Sequence, residues 1–223
     1  MYSGNIMDYF PYSETMPTAR AGQIAVINEI DRAIKAGKKL IIVEAPVGSG
    51  KSAIGMTFAK AFASSHLITP RKNLQNQYFD DFEKEVVLMK GRAAYPCTYH
   101  SNKPVYMKVI KDIKNGQVRQ PRHDEPNCST APCRDSKDVY LSCVAGNGEC
   151  PYTVAMETAQ EHPNVIHNIH SFIFQTSFAS KFEKRELLVI DEVHEVEATI
   201  REFIGRKFTL PKVIQEEDRP VGT

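Results

Sequence analysis

A short apolar run, Leu40-Ile41-Ile42-Val43, leads into Ala45-Pro46-Val47-Gly48-Ser49-Gly50-Lys51-Ser52, and a helical stretch over 53–63 follows. Strand, glycine-rich loop and a helix opening on Lys-Ser is the setting of a phosphate-binding loop. The start of a helix leaves several backbone N–H groups unpaired, and its dipole favours an anion there. Gly48 and Gly50 let the backbone curl so that successive N–H groups converge on phosphate oxygens. Lys51 is then placed to reach the β- and γ-phosphates, and the Ser52 hydroxyl to join a Mg²⁺ shell. The pattern G-x-x-x-x-G-K-[ST] has Ala45 in its first place, a small residue that leaves the rest intact. A glycine-rich turn that binds nothing is the bland alternative, and the flanking strand and helix patterns argue against it.

A second apolar run, Leu187–Ile190, ends in Asp191-Glu192-Val193-His194. A buried parallel strand that delivers two adjacent carboxylates at its carboxyl end suits a Mg-ATP site, because such sheets bind ligands there. Asp191 is expected to hold Mg²⁺ directly or through water, and Glu192 to orient and polarise the attacking water. His194 is expected to link the nucleotide site to the moving parts of the domain. The competing explanation is an acidic helix start. A phosphate loop upstream favours the catalytic one.

The chain has 223 residues, enough for one large domain or one domain with an insertion. With 42% apolar and 25% charged residues it is an ordinary globular composition. A formal net charge of +1 means that any nucleic-acid surface must come from local clustering. No apolar run approaches the roughly 20 residues of a membrane helix. Met1-Tyr2-Ser3-Gly4-Asn5 lacks the layout of a secretory signal, so the cytoplasm of a bacterium or of an infected host cell is the expected compartment. Five Cys is an odd number, which favours a metal or free thiols over a disulfide framework.

Helical periodicity over 21–35 puts Ile24, Ile27, Ile30 and Ile34 on one face, with Gly37 as a stop. Strands are expected over 66–69 and 86–89 and helices over 74–84, 153–161 and 195–204. Alternating strands and helices predict an α/β fold with a mainly parallel sheet. Residues 91 to 150 depart from this pattern. They hold all five Cys and few apolar runs, as expected of an insertion organised by a ligand rather than by a hydrophobic core.

Cys97, Cys128, Cys133, Cys143 and Cys150 are separated by 30, 4, 9 and 6 residues. Four thiolates suffice for a [4Fe–4S] cluster or for Zn²⁺, and none of the spacings is the C-x₂-C of zinc ribbons or bacterial ferredoxins. One cysteine is then spare. His100 and His123 are nearby alternative ligands. Lys103, Lys108, Lys111, Lys114, Arg119 and Arg122 fall in the same region, interleaved with Tyr99 and Tyr106. Basic groups along a backbone with aromatics for stacking suit single-stranded nucleic acid, and a solvated basic loop is the alternative.

Taken in order, these motifs resemble the N-terminal part of superfamily 2 DNA helicases of the XPD/DinG type. Phe10-Pro11-Tyr12 with Arg20 and Gln23 is similar to that family's adenine-recognition motif, which assigns Gln23 to the base. Glu44 to Ser52 closely matches its phosphate loop, where Ala in the first place is usual. Thr69-Pro70-Arg71-Lys72-Asn73-Leu74-Gln75-Asn76-Gln77 resembles the motif that contacts single-stranded DNA, which adds Arg71, Lys72 and Gln77 as DNA contacts. The segment 91–97 and Cys150-Pro151-Tyr152 resemble those carrying the first and last cluster cysteines, and Val165 to His170 the strand before the acidic motif. Asp191-Glu192-Val193-His194 matches that motif, with Val where Ala is common. The resemblance covers about residues 9–200, and its compact insertion is closer to phage and bacterial enzymes than to eukaryotic repair helicases.

The resemblance implies a RecA-like P-loop NTPase domain formed by 1–90 and 151–223, interrupted by an iron–sulfur insertion at 91–150. It implies ATP, Mg²⁺ and a [4Fe–4S] cluster as cofactors, with zinc as the alternative, and single-stranded DNA as a partner. It implies an ATP hydrolase that moves on DNA, typically 5′ to 3′. Superfamily 2 helicases close their ATP site with a second RecA-like domain, and no motif of that domain is visible. The chain thus reads as the N-terminal half of a helicase. A non-catalytic binding or regulatory module is the second reading, and a P-loop kinase or transferase the third.

Overall fold

A computed structural model describes residues 2–14, 16–97, 110–115, 126–134, 137–147 and 149–205. Four parallel strands form one sheet: β1 (Ser65–Thr69), β2 (Val87–Met89), β3 (Asn164–Asn168) and β4 (Leu187–Ile190), in the order β2-β3-β1-β4. Ser65 pairs with Asn164 on one side and with Leu187 on the other, so β1 is central. Seven named helices accompany the described sheet: α1 (Ala21–Lys35), α2 (Lys51–Ala61), α3 (Lys72–Phe82), α4 (Lys137–Asn147), α5 (Pro151–Glu161), α6 (Ile169–Ile173) and α7 (Val196–Ile204). No described helix is long and apolar enough to cross a membrane.

The expected α/β architecture with a parallel sheet is present. Alternate residues of each strand face opposite sides of the sheet. Leu67, Leu88 and Ile166 face one side and join Ile27, Met56, Phe58, Tyr78 and Phe79 in a core beneath α1, α2 and α3. Val87, Met89 and Val165 face the other side and meet Val154, Ala155 and Ala159 of α5. Helix α1 buries Ile27 fully and ends where Gly37 adopts φ +81°. The Gly37 and Lys38 N–H groups then cap the carbonyls of Ile34 and Ala33.

Two expectations differ from the structure. The run Leu40-Ile41-Ile42-Val43 is not a strand: it joins no ladder, and Leu40 and Ile42 are 82% and 77% exposed. β4 bonds to β1 along one edge, and among the described strands nothing pairs with its other edge. An apolar run becomes a strand only where a partner edge meets it in register, and that is a long-range condition. The second difference concerns 91–150. Its described part does not stand apart from the hydrophobic core, since Tyr95, Ile110, Ile113 and Cys128 are buried in the same cluster as α5 and β3.

Candidate nucleotide site

The site assembles at the carboxyl end of β4. The Asp191 N–H donates to the Ile68 carbonyl at 2.9 Å, which extends the β1–β4 ladder by one residue and holds Asp191 at the sheet's edge. Glu192 then turns into the left-handed region at φ +49°, ψ +48°, unusual for a residue with a side chain. Its N–H donates back to Asp191 Oδ1 at 3.0 Å.

The glycine-rich loop 45–52 leads into α2. Gly48 and Gly50 take φ +78° and +82°, and Gly50 is the residue before α2. Helix α2 lies close on β4: a Cβ at Gly55 would stand 3.1 Å from Val189 Cγ1. That close approach draws Lys51 and Ser52 toward Asp191. Lys51 Nζ donates to the Ala45 carbonyl at 3.2 Å and stands 3.7 Å from Glu192 Oε1. The fold brings Lys51 to Glu192 and its neighbour Asp191, and Ser52 follows Lys51 in the first turn of α2. His194 Nδ1 lies 3.4 Å from Glu192 Oε2 with most of its ring exposed.

The remaining loop residues are arranged around this centre. Val47 is almost wholly exposed, Pro46 is exposed and Ala45 half-buried. The Ser49 hydroxyl is buried and has no hydrogen-bond partner. A buried orphan hydroxyl inside such a loop is the vacancy an anionic oxygen fills, so the loop fits a phosphate. Burial pushes the Asp191 carboxyl above its ordinary range, against the hydrogen bond from Glu192 N–H and the charge of Lys51. A divalent cation would reverse that balance, so the donor set of Ser52 and Asp191 fits Mg²⁺.

Gln23 does not face open space. It is buried, its Oε1 accepts from the Arg20 N–H at 2.9 Å, and its Nε2 approaches the Gly50 carbonyl at 3.5 Å. Arg20 Nη1 donates to the Gly48 carbonyl at 2.7 Å. Arg20 and Gln23 therefore grip the two left-handed glycines of the loop.

One residue beside Asp191 had no signal in the sequence. Tyr78 of α3 is buried, and burial together with the nearby Asp191 charge pushes its phenol above the ordinary range. Beside Phe79 and Phe82 it reads as one more core aromatic.

The DNA contacts expected from the resemblance divide. Arg71 Nε donates to Glu195 Oε2 at 3.1 Å, and Lys72 opens α3. Lys114 pairs with Glu149 at 2.9 Å on the surface. Lys103, Lys108, Arg119, Arg122, Tyr99, Tyr106, His100 and His123 lie outside the described residues.

The cysteines are neighbours in part. Cys97 N–H donates to the Pro126 carbonyl and Cys128 N–H to the Tyr95 carbonyl, so the first two cysteines sit on paired segments. Cys128 Sγ donates to the Pro96 carbonyl at 3.3 Å, the nearby Cys150 and burial push the Cys128 thiol up, and burial with the charges of Cys150 and Cys143 pushes Cys133 up. The neighbouring Cys128 thiol, helped by the Thr153 N–H at the start of α5, pulls the Cys150 thiol down to about 6. Among the described residues, no three His, Cys, Asp or Glu side chains form a group able to hold a metal ion.

The α/β sheet matches a RecA-like helicase domain of superfamily 2. The chain belongs to the family described as Type III restriction enzyme, res subunit, which matches residues 17–215. A solved structure titled XPD helicase aligns with a TM-score of 0.51 and 16% identity, over 82% of this chain and 34% of that one. The chain spans about a third of the length of that structure. No curated protein matches.

Proposed function

We propose that this chain is the ATP-binding part of a DNA helicase that couples ATP hydrolysis to movement on single-stranded DNA. The observation that carries the reading is the approach of Lys51 Nζ to Glu192 Oε1 at 3.7 Å, with Asp191 held next to Glu192 at the end of β4. In this reading the phosphate loop 45–52 cradles the phosphates and Lys51 neutralises charge on the β- and γ-groups. Ser52 and Asp191 would hold Mg²⁺, which when bound offsets phosphate charge. Glu192 accepts a proton from the attacking water, and His194 steadies the Glu192 carboxylate. Gln23 reads adenine once nucleotide contacts replace its hold on Gly50. Arg71, Lys72 and the basic residues within 91–150 contact the DNA backbone, with affinity governed by strandedness and salt.

The helicase reading places a second RecA-like domain opposite this site, from elsewhere in the protein or from another chain. Such a domain contributes arginines that stabilise charge on the γ-phosphate, worth about 10³–10⁵ in rate in related NTPases. The 34% coverage of the XPD helicase structure leaves room for it.

We also assign four of Cys97, Cys128, Cys133, Cys143 and Cys150 to an iron–sulfur cluster, with zinc as the alternative. What supports this is the donor chemistry: Cys97 and Cys128 sit on paired segments, and the Cys150 thiol is biased toward thiolate. Bound there, the cluster would close the 91–150 insertion between domain segments 1–90 and 151–223.

The test is ATP hydrolysis by protein purified without oxygen, with and without single-stranded DNA, beside a Lys51→Ala control. DNA-stimulated turnover lost in the control supports the helicase reading for this chain alone. Binding of nucleotide and DNA without turnover supports the second reading, a binding module completed by another domain. Phosphorylation of a small substrate with no DNA effect rejects both.

A further inference from the structure

We infer that Asn168 is a positioning residue for the turn that carries Arg71 and Lys72. The inference rests on the reading of those two residues as DNA contacts. The ladder between β1 and β3 ends at the pair Thr69 and Asn168. Pro70, the residue after β1, has no N–H with which to carry the ladder on. Its carbonyl is taken instead by the Asn168 side chain, whose Nδ2 donates to it at 3.0 Å. The following carbonyl, that of Arg71, accepts from Thr69 Oγ1 at 3.2 Å and from the Gln75 N–H at 3.2 Å. The second of these is the opening bond of α3, for which Arg71 is the N-cap.

These bonds hold the two peptide groups on either side of the Arg71 Cα. Each peptide is planar, so holding both carbonyls sets the Arg71 dihedrals, φ −114° and ψ 139°. The direction in which the Arg71 side chain leaves the backbone follows from them. Asn168 is itself well fixed. It is 9% exposed, and its Oδ1 accepts the His170 N–H at 3.1 Å at the start of α6. An amide has one accepting end and one donating end, so the bond from His170 turns the NH₂ group toward Pro70. The end of β3 thereby sets the turn that follows β1, across a sequence separation of 98 residues.

The experiment compares wild type and Asn168→Ser, which keeps an N-cap oxygen for the His170 N–H and removes the NH₂ group that reaches Pro70. The probe is a fluorescent oligo-dT strand, its affinity read by anisotropy at several salt concentrations. The expected result is binding about five-fold weaker in the variant, the scale of one hydrogen bond, with a shallower salt slope. Affinity for ATP with Mg²⁺ and the far-ultraviolet circular dichroism stay unchanged. In a background of Arg71→Ala with Lys72→Ala, Asn168→Ser changes DNA affinity by less than about two-fold, because coupled residues are not additive. Wild-type DNA affinity in Asn168→Ser overturns the inference and leaves the DNA contacts standing. An undiminished loss in that background overturns it too, since Asn168 then acts elsewhere. Parallel loss of DNA and ATP affinity also overturns it, since a merely structural asparagine gives that. Unchanged DNA affinity in the Arg71→Ala, Lys72→Ala background itself, or a wild type that binds no strand, rejects the DNA-contact reading and the inference with it.

Discussion

Arg71, just before α3, and Glu195, just before α7, form a two-point ion pair, with Arg71 Nε 3.1 Å from Glu195 Oε2 and a second contact from Nη2 to Oε1. Arg71 is a proposed DNA contact, and Glu195 follows the acidic motif directly. The pair therefore occupies the guanidinium that a phosphate would use. Exposed pairs of this kind are weak, so a DNA phosphate competes with Glu195 on fair terms. Glu195→Gln is expected to bind single-stranded DNA a few-fold more tightly. Arg71→Ala is expected to bind less tightly, with the slope of log affinity against log salt shallower by about 0.7. Fluorescence anisotropy at several salt concentrations measures both, and unchanged affinity in the two variants contradicts Arg71 as a DNA contact.

Gly48 and Gly50 provide a matched comparison. Both have positive φ, so alanine at either costs about 1–2 kcal/mol of backbone strain. At Gly48 a Cβ meets nothing within 4 Å, whereas at Gly50 it would stand 2.1 Å from Gln23 Nε2. Gly50→Ala is thus expected to lower Tm more than Gly48→Ala, and to weaken nucleotide binding by displacing Gln23. Thermal melts with and without nucleotide test this. Equal Tm shifts would mean that Gln23 yields freely and does not brace the loop.

The two histidines at the centre of the sheet predict acid sensitivity. His66 Nδ1 and His167 Nε2 are 3.1 Å apart, with Phe172 and Phe182 against both rings. Burial, then the nearby Arg185 charge, pulls His66 down to about 4, and burial with the His66 neighbour pulls His167 down as well. Their folded values lie below the unfolded one, so the unfolded state binds more protons as pH falls below 6.5. Stability is then full above about pH 6.5 and declines toward pH 4, by on the order of 1–2 kcal/mol after solvent screening. Urea melts from pH 7 to 4 follow it, and His66→Phe should flatten that part of the profile. An unchanged slope in the variant rejects this origin.

The proposed cluster has its own outcome. Protein made without oxygen should carry iron and acid-labile sulfide, and both should fall in Cys150→Ser. Removal of the metal should expose 91–150 to protease before the nucleotide core. Zinc without iron assigns the site to zinc, and protection of that stretch after metal removal contradicts its organising role.

Much of the fold was legible because it is local. The runs at Ser65–Thr69, Leu187–Ile190 and Ala21–Lys35 carry the right periods within a few residues of their observed ends. The turns at Gly48 and Gly50 were legible because glycine spacing encodes backbone turns, and both take positive φ. Leu40-Ile41-Ile42-Val43 was not, since its apolar content says nothing about which edge is in register. Tyr78 was not, because a tyrosine beside two phenylalanines on one helix face has the pattern of core. The same blindness hid the burial of Tyr95, Ile110 and Ile113 against α5, contacts made across long stretches of sequence.

The central claim is that the loop 45–52 and the Asp191-Glu192 turn form one nucleotide site. Equilibrium binding of ATP with Mg²⁺, by calorimetry on wild type, Lys51→Ala and Glu192→Gln, tests it most directly. The account predicts saturable one-site binding in wild type, loss in Lys51→Ala and retention in Glu192→Gln. Binding that survives Lys51→Ala unchanged, or no binding in a folded wild type, would contradict it.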